Sequence, residues 1–415
     1  MVGDIRITDF DYDLPDSFIP RYPLAKRDDC RLLVADPQGR IFHRNFNELP
    51  SLIPPAALLI CNETKVIRAR LAFHKDTGAA IEIFLLEPLQ PADYALNFQA
   101  TGSCEWKCMV GNLKKWKEGK LSLILPEQEA KAPLTLLASK VALLKDGSVA
   151  VKFEWENPDI SFSSIIERAG TIPIPPYLNR ESEESDLSDY QTVYAREQGS
   201  VAAPTAGLHF TPEVFKELEA HAVTIAKLTV HVGAGTFRPV KSDTISGHDM
   251  HSERFSISLN TLQRLYHFKK EGRPVVAVGT TSVRTLESLP YIADAWRKGT
   301  ANPLHLEQWR PYEEGKEEPD AIESLAFLIE KMKTEGMDEL QASTAIIIAP
   351  GFKWKITDGM VTNFHQPKST LLLLVSSFLG KGDDYNMWRK VYESAIAEKY
   401  RFLSYGDASL LIRPN

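Results

Sequence analysis

From Ala79 to Glu156 the chain reads as a series of short apolar runs separated by turn residues: AAIEIFLLEPL (Ala79–Leu89), YALNFQATG (Tyr94–Gly102), WKCMVG (Trp106–Gly111), GKLSLILP (Gly119–Pro126), LTLLASKVALL (Leu134–Leu144) and SVAVKFEWE (Ser148–Glu156). Each run is too short for a stable amphipathic helix, and turn signals recur at a regular interval, the pattern of a small all-β barrel or sandwich. Helical texture is absent here and present on the C-terminal side, so the β-rich stretch reads as an insertion.

Outward from it the pattern changes. RLLVADPQGRIFHRNF reads as a hairpin around Pro37–Gly39, and AALLICNETKVIRARL as a buried strand, a polar turn and a second strand. After Pro158 strands and helices alternate. TPEVFKELEAHA opens with Thr211 as N-cap and Pro212 at the first helical position, with Val214, Phe215 and Leu218 on one face. SLNTLQRLYHFKKEG stops at Gly272, RPVVAVG is a buried strand running into the helix TSVRTLESL, and PDAIESLAFLIEKMKTEG and DDYNMWRKVYESAIAEKY are further amphipathic helices. TIAKLTVHV, AIIIAPG and ASLLI read as strands. Such alternation predicts an α/β fold, divided into an α/β domain from 1–72 and 158–415 and an inserted β-barrel domain, 73–157. The segment Leu187–Gly199, which follows the acidic run Glu181–Asp189, and the stretch Tyr291–Pro319 read as long loops or crossovers.

The 415 residues carry a net charge of −7, which excludes a generally basic nucleic-acid binder and requires any RNA contact to be a local patch. Trp106–Lys120, WKCMVGNLKKWKEGK, offers one: basic and aromatic residues interleave, with Lys114, Lys115, Trp116 and Lys117 as candidate RNA contacts. The four cysteines show neither CxxC spacing nor histidine partners, which predicts free thiols in a reduced, cytoplasmic protein. The first residues lack a signal-peptide pattern and no apolar run reaches membrane-spanning length, so no membrane association is expected.

The polar segment YQTVYAREQGSVAAPTAGLHFT (Tyr190–Thr211) fits no hydrophobic period and reads as a site loop, with Arg196, Thr205 and His209 as its chemistry. VGTTSVRTLES (Val278–Ser288) places Thr280 and Thr281 at a helix start, where free amides favour an anion, and Arg284 in the first turn, where it can pair with a carboxylate or with Glu287. NFHQPKST presents Asn363, His365 and Lys368 before an apolar helix, and SYGDASLL adds Tyr405 and Asp407 on a turn. His209 and Asp407 are the acid–base candidates, the histidine because it titrates near neutrality. The Gly233–Gly235 pair precedes TFRPV, an extended reading that a dinucleotide-binding glycine loop does not have. His248, His251 and Glu253 lack metal-site spacing, so no metal is expected.

These stretches, together with DFDYDLP (Asp9–Pro15), RDDCRLLV (Arg27–Val34), NETKVIRARL (Asn62–Leu71), TIPIPPY (Thr171–Tyr177), TVHVGAGTFRPV (Thr229–Val240) and HDMHSE (His248–Glu253), follow in order the motifs of the S-adenosylmethionine:tRNA ribosyltransferase-isomerases, which the chain resembles over nearly its whole length. The resemblance implies a larger α/β domain built around a barrel-like sheet, with a small inserted β-barrel. It also implies transfer and isomerisation of the ribosyl group of S-adenosylmethionine, a co-substrate and not a retained cofactor, onto 7-aminomethyl-7-deazaguanine in a tRNA anticodon. The expected enzyme is a cytoplasmic monomer whose substrate-binding residues are Arg196, Thr205, Thr280, Thr281, Arg284, Asn363, His365, Lys368 and Tyr405. The alternatives are a relative acting on another acceptor, a non-catalytic tRNA-binding relative, or a methyltransferase using the same donor. The departures from the family pattern gather near the N-terminus: Ile19–Tyr22, Cys30 where serine is common, Pro54–Ala57, Lys65 where arginine is common and Arg68 where proline is common.

Overall fold

The computed structural model describes residues 2–75, 78–125, 134–233 and 242–414. Gly235 and the TFRPV reading lie outside the described residues. Two β systems organise the chain, in keeping with the expected α/β body and small all-β barrel. The larger is a ten-stranded mixed sheet whose centre is parallel: Thr224–His231, Leu58–Asn62, Val275–Val278 and Gly359–Asn363 lie side by side. Ala408–Ile412 pairs antiparallel with the last of these, and Arg31–Ala35 and Ile41–Asn45 continue as the expected hairpin.

Leu58–Cys61 and Val275–Val278 are apolar at every position because both faces of the sheet are covered there. Leu58, Ile60, Val275 and Ala277 enter one core, with Leu262, Val283 and Leu325 of the helices Leu259–Lys270, Thr280–Arg297 and Ala321–Glu335. The alternate residues Leu59, Cys61, Val276 and Val278 enter the opposite core with Leu49, Val214 and Leu218. Thr211 caps its helix as read, accepting from Val214 N.

Six strands between Arg70 and Glu154 close into an antiparallel barrel. Its interior holds Trp106, Trp116, Phe73 and Phe153, all fully buried. The indoles keep polar partners, Trp106 Nε1 donating to Asn97 Oδ1 (2.7 Å) and Trp116 Nε1 to Gly119 O (3.0 Å). The chain enters the barrel through Arg68–Arg70 and leaves it through Gly170–Thr171. The two crossings touch: Thr171 N donates to Arg70 O (2.9 Å), and a Cβ on Gly170 would lie 2.1 Å from Arg68 O.

Three element readings need correction. Tyr94–Gln99 is a short helix and not a strand, because Asp93 accepts a hydrogen bond from Leu96 N and caps it. AIIIAPG is buried but forms no strand; the strand is Glu339–Thr344, and the amides of Ala345 and Ile347 turn to Leu306 O and Gln308 O. Tyr291–Arg297 is not loop, since the helix from Thr280 continues through Pro290 to Arg297.

Candidate active site

The parallel strands Val275–Val278 and Gly359–Asn363 end together, and a ligand crevice is expected outside such carboxyl ends. Gly279, at φ +85°, turns the chain from the first strand directly into a helix starting at Thr280. The second strand runs into Phe364–Ser369 before the helix Thr370–Leu379. A 3₁₀ turn, Thr205–His209, packs against the same strand. Between these pieces lies a cleft of about 140 Å³ whose walls include Thr205, Thr280, Thr281, Asn363, His365 and Lys368. Segments far apart in sequence thus converge on one cleft. Lys368 (φ +54°) and Leu403 (φ +67°) flank it in left-handed conformations, which non-glycine residues hold only when the surroundings enforce them.

Asn363 is the hub. Its Oδ1 accepts from Thr205 Oγ1 (3.0 Å), and its Nδ2 donates to Leu403 O (3.1 Å) and to His209 Nε2 (2.8 Å). An amide NH₂ has only protons to offer, so His209 Nε2 accepts and the ring proton sits on Nδ1, 3.4 Å from Cys30 Sγ. Burial lowers the His209 pKa to about 4, although the nearby Asp407 charge works against that, so the ring is neutral at physiological pH. His209 stands behind Asn363, in a small hollow it shares with Arg27, Arg401 and Tyr405; Ser404 lines both hollow and cleft. His365 is also driven down by burial, to about 3, and its Nε2 meets Thr362 Oγ1 at 3.0 Å. Lys368 reaches Asp11 at 2.8 Å.

Other candidates fall elsewhere. Asp407 is buried behind the site and occupied: it accepts from Arg31 N (2.9 Å) and Arg401 N (2.7 Å) and pairs with the Arg401 guanidinium (3.0 Å), so it is a scaffold carboxylate and not a free acid or base. Arg196 is exposed, pairs with Glu197 (3.3 Å) and lines a different groove, with Tyr94 and Arg254. Arg284 is buried against Glu253 at 3.0 Å, away from the cleft wall. Glu287 is not its partner, because that carboxylate takes the amides of Lys355, Ile356 and Thr357. Tyr405 donates to Asp186 (3.3 Å), within the hollow and not the cleft. Trp116 cannot stack on a base because it is a barrel core residue, whereas Lys114, Lys115 and Lys117 beside it are exposed.

Tyr177, Tyr190 and Ser404 also line the cleft and were not foreseen. Tyr177 and Ser404 share a 2.5 Å hydrogen bond, and burial raises the Tyr177 phenol to about 12. TIPIPPY was visible as a motif, but nothing in its pattern marked the tyrosine as a wall residue. The acidic run is strapped down: Arg180 forms a two-pronged pair with Asp186 (2.6 and 2.7 Å), and Arg27 donates to Ser188 O and Gln191 O. No metal-binding cluster and no helix long and apolar enough to cross a membrane occur among the described residues.

The family model described as queuosine biosynthesis protein matches residues 7–411. The S-adenosylmethionine:tRNA ribosyltransferase-isomerase of Trichlorobacter lovleyi is 37% identical over 98% of this chain and 99% of its own. That of Thermotoga petrophila is 36% identical over 98% of this chain and 100% of its own. A solved structure, S-adenosylmethionine tRNA ribosyltransferase from Thermotoga maritima, is 29% identical, covers 97% of this chain and 100% of that one, and superposes with a TM-score of 0.47. On the whole-length family match and these relatives, the chain belongs to the queuosine biosynthesis protein family, that of the S-adenosylmethionine:tRNA ribosyltransferase-isomerases.

Proposed function

We propose that this enzyme transfers and isomerises the ribosyl group of S-adenosylmethionine onto 7-aminomethyl-7-deazaguanine at the wobble position of a tRNA, giving epoxyqueuosine and releasing adenine and methionine. The observation that carries the reading is the convergence of Thr205, Thr280, Thr281, Asn363, His365 and Lys368 on one cleft at the ends of parallel strands, in a chain similar over its whole length to enzymes of that name.

The chemistry asks for three things. The sulfonium acidifies the ribose C5′ protons, and a base removes one. Adenine leaves more readily when protonated. The acceptor amine attacks only when unprotonated, which a poorly solvated cleft favours. The first-turn amides, which no side chain caps, and the Thr280 and Thr281 hydroxyls on the cleft wall suit the methionine carboxylate. His209, neutral and turned toward Asn363, acts in this reading as a positioning residue: it fixes the amide so that its oxygen faces the Thr205 hydroxyl on the cleft wall. The exposed Lys114, Lys115 and Lys117 remain available to phosphates.

The test is to mix the purified protein with S-adenosylmethionine and a tRNA bearing 7-aminomethyl-7-deazaguanine. Adenine equimolar with an epoxycyclopentane-bearing nucleoside supports the reading. Release of S-adenosylhomocysteine would make the protein a methyltransferase, and no turnover by tRNA-binding protein would leave it a binding relative.

A further inference from the structure

A second groove, of about 570 Å³, opens where the chain crosses between sheet and barrel. Its charged lining is Lys65, Arg68 and Arg168 against a single carboxylate, Glu167, in a chain whose net charge is −7. Among the described residues Lys65 and Arg68 have no carboxylate partner. An excess of cations gathered in a concave surface of an acidic protein concentrates positive potential there and favours a polyanion.

The groove is built rather than incidental. Lys65 lies on the strand Thr64–Val66, whose edge is held on one side by the parallel strand Glu197–Ser200. On the other side the Gln191 side chain mimics a backbone partner, accepting from Val66 N (3.0 Å) and donating to Val66 O (2.8 Å). Arg68 sits on the entering crossing, and Arg168 in the last turn of the helix Phe162–Ala169 that leads into the leaving one. Gly170 lets those crossings touch, since any side chain there would collide with Arg68 O. The groove also adjoins the active cleft: Val66 and Ile172 of its wall belong to the same apolar cluster as Tyr190 and Ala203, which line the cleft.

We propose that this junction groove holds the sugar–phosphate backbone of the tRNA, with Lys65 and Arg68 neutralising phosphates while a nucleotide reaches the cleft on the far side of the Val66–Tyr190 layer. The inference rests on the tRNA reading above and adds where the RNA lies.

The test measures binding of a fluorescently labelled tRNA transcript across a series of potassium chloride concentrations, for the wild type, Lys65→Glu with Arg68→Glu, and Lys65→Arg with Arg68→Lys. The charge-reversed protein should bind at least about tenfold more weakly at low salt. Its log Kd against log salt slope should fall by roughly 1.4 to 1.8, about 0.7–0.9 per lost phosphate contact. The conservative pair should bind as the wild type does, and the KM for S-adenosylmethionine should not move. Should the double reversal fail to fold, Lys65→Glu alone decides, because that side chain is exposed, and about half the slope change is expected. Wild-type affinity and slope in a folded charge-reversed protein, with adenine still released, would overturn the groove assignment alone. A wild type that binds no tRNA would remove the functional reading and the groove together.

Discussion

Replacing Asn363 by leucine keeps the branched shape and heavy-atom count, in a somewhat larger side chain, and deletes every side-chain hydrogen bond at the hub. The loss strands Leu403 O and His209 Nε2, both buried, and frees the Thr205 hydroxyl. A buried polar group left without a partner costs about 1–3 kcal/mol, so two of them give roughly 2–6 kcal/mol. Thr205 borders the cleft, where water can replace the lost contact, and adds little. Against a typical total stability of about 5–15 kcal/mol, that loss is measurable and is often survived. Urea unfolding followed by tryptophan fluorescence gives the stability, and adenine release gives the function. The companion Thr205→Val removes only the hydroxyl facing the cleft and leaves Asn363 anchored to His209 and Leu403. It should shift stability by less than about 1 kcal/mol yet slow adenine release at least about tenfold, a change equivalent to about 1.4 kcal/mol in the barrier. An Asn363→Leu protein within about 0.5 kcal/mol of wild type, an ordinary surface-substitution effect, would refute the hub. A fully active Thr205→Val protein would refute its link to catalysis.

The buried His209 gives a pH signature. Its folded pKa, about 4, lies below the unfolded value near 6.5, so its contribution is intact above 6.5 and is lost as pH falls from there toward 4. The loss reaches about 3 kcal/mol at about 1.4 kcal/mol per pH unit; urea titrations at pH 7, 6 and 5 should show the decline in wild type and a shallower one in His209→Asn, and equal slopes would sink the assignment. The same neutrality predicts a pH–rate profile with no His209 limb near 6.5. Burial would raise the Asp186 pKa, but the Arg180 and Glu183 hydrogen bonds outweigh it and hold it below the ordinary carboxylate value. Its contribution is therefore present above about pH 4 and lost below, and Asp186→Ala, which leaves the Arg180 guanidinium with only the Arg21 and Glu181 carbonyls and the Tyr22 ring, should cost about 3 kcal/mol in denaturant unfolding, the low end for a broken buried pair. Trp116→Phe should lower the melting temperature and leave tRNA affinity within about twofold, since the ring lies inside the barrel; a tenfold weaker complex from a folded variant would put the ring on the RNA after all.

The parts of the fold that could be read from sequence are those where a local rule and burial agree. LLIC (Leu58–Cys61) and VVAV are apolar at every position because two cores need them, and Thr211–Pro212 announces its helix through cap chemistry that acts within one turn. Asp93 uses the same chemistry, but the apolar content of YALNFQ outweighed a single capping residue in the reading. The site divides along similar lines. Thr280 follows one buried strand after a single glycine and Asn363 ends another, so chain direction alone brings them to one crevice. Residue type could not show that Asp407 would spend its oxygens on Arg31 and Arg401, or that Arg284 would find Glu253. Those partners come from segments distant in sequence, and partner choice decides whether a charged side chain serves substrate or scaffold.

The order of the strands bears on how the molecule is made. The barrel draws all its strands from the continuous stretch between Arg70 and Glu154, so its pairing is complete once that stretch has left the ribosome. Leu58–Asn62 emerges earlier yet is joined much later; Asn62 Nδ2 donates to Val230 O, 168 positions along the chain. An apolar strand with both edges open is thus carried through synthesis of the whole barrel, a template for pairing with other chains. Pulsed hydrogen exchange during refolding should find the barrel amides protected before those of Leu58–Asn62, and simultaneous protection would show that the two β systems form as one. For this chain the insertion sets a waiting time, and the strand that waits is the one on which the active-site sheet is built.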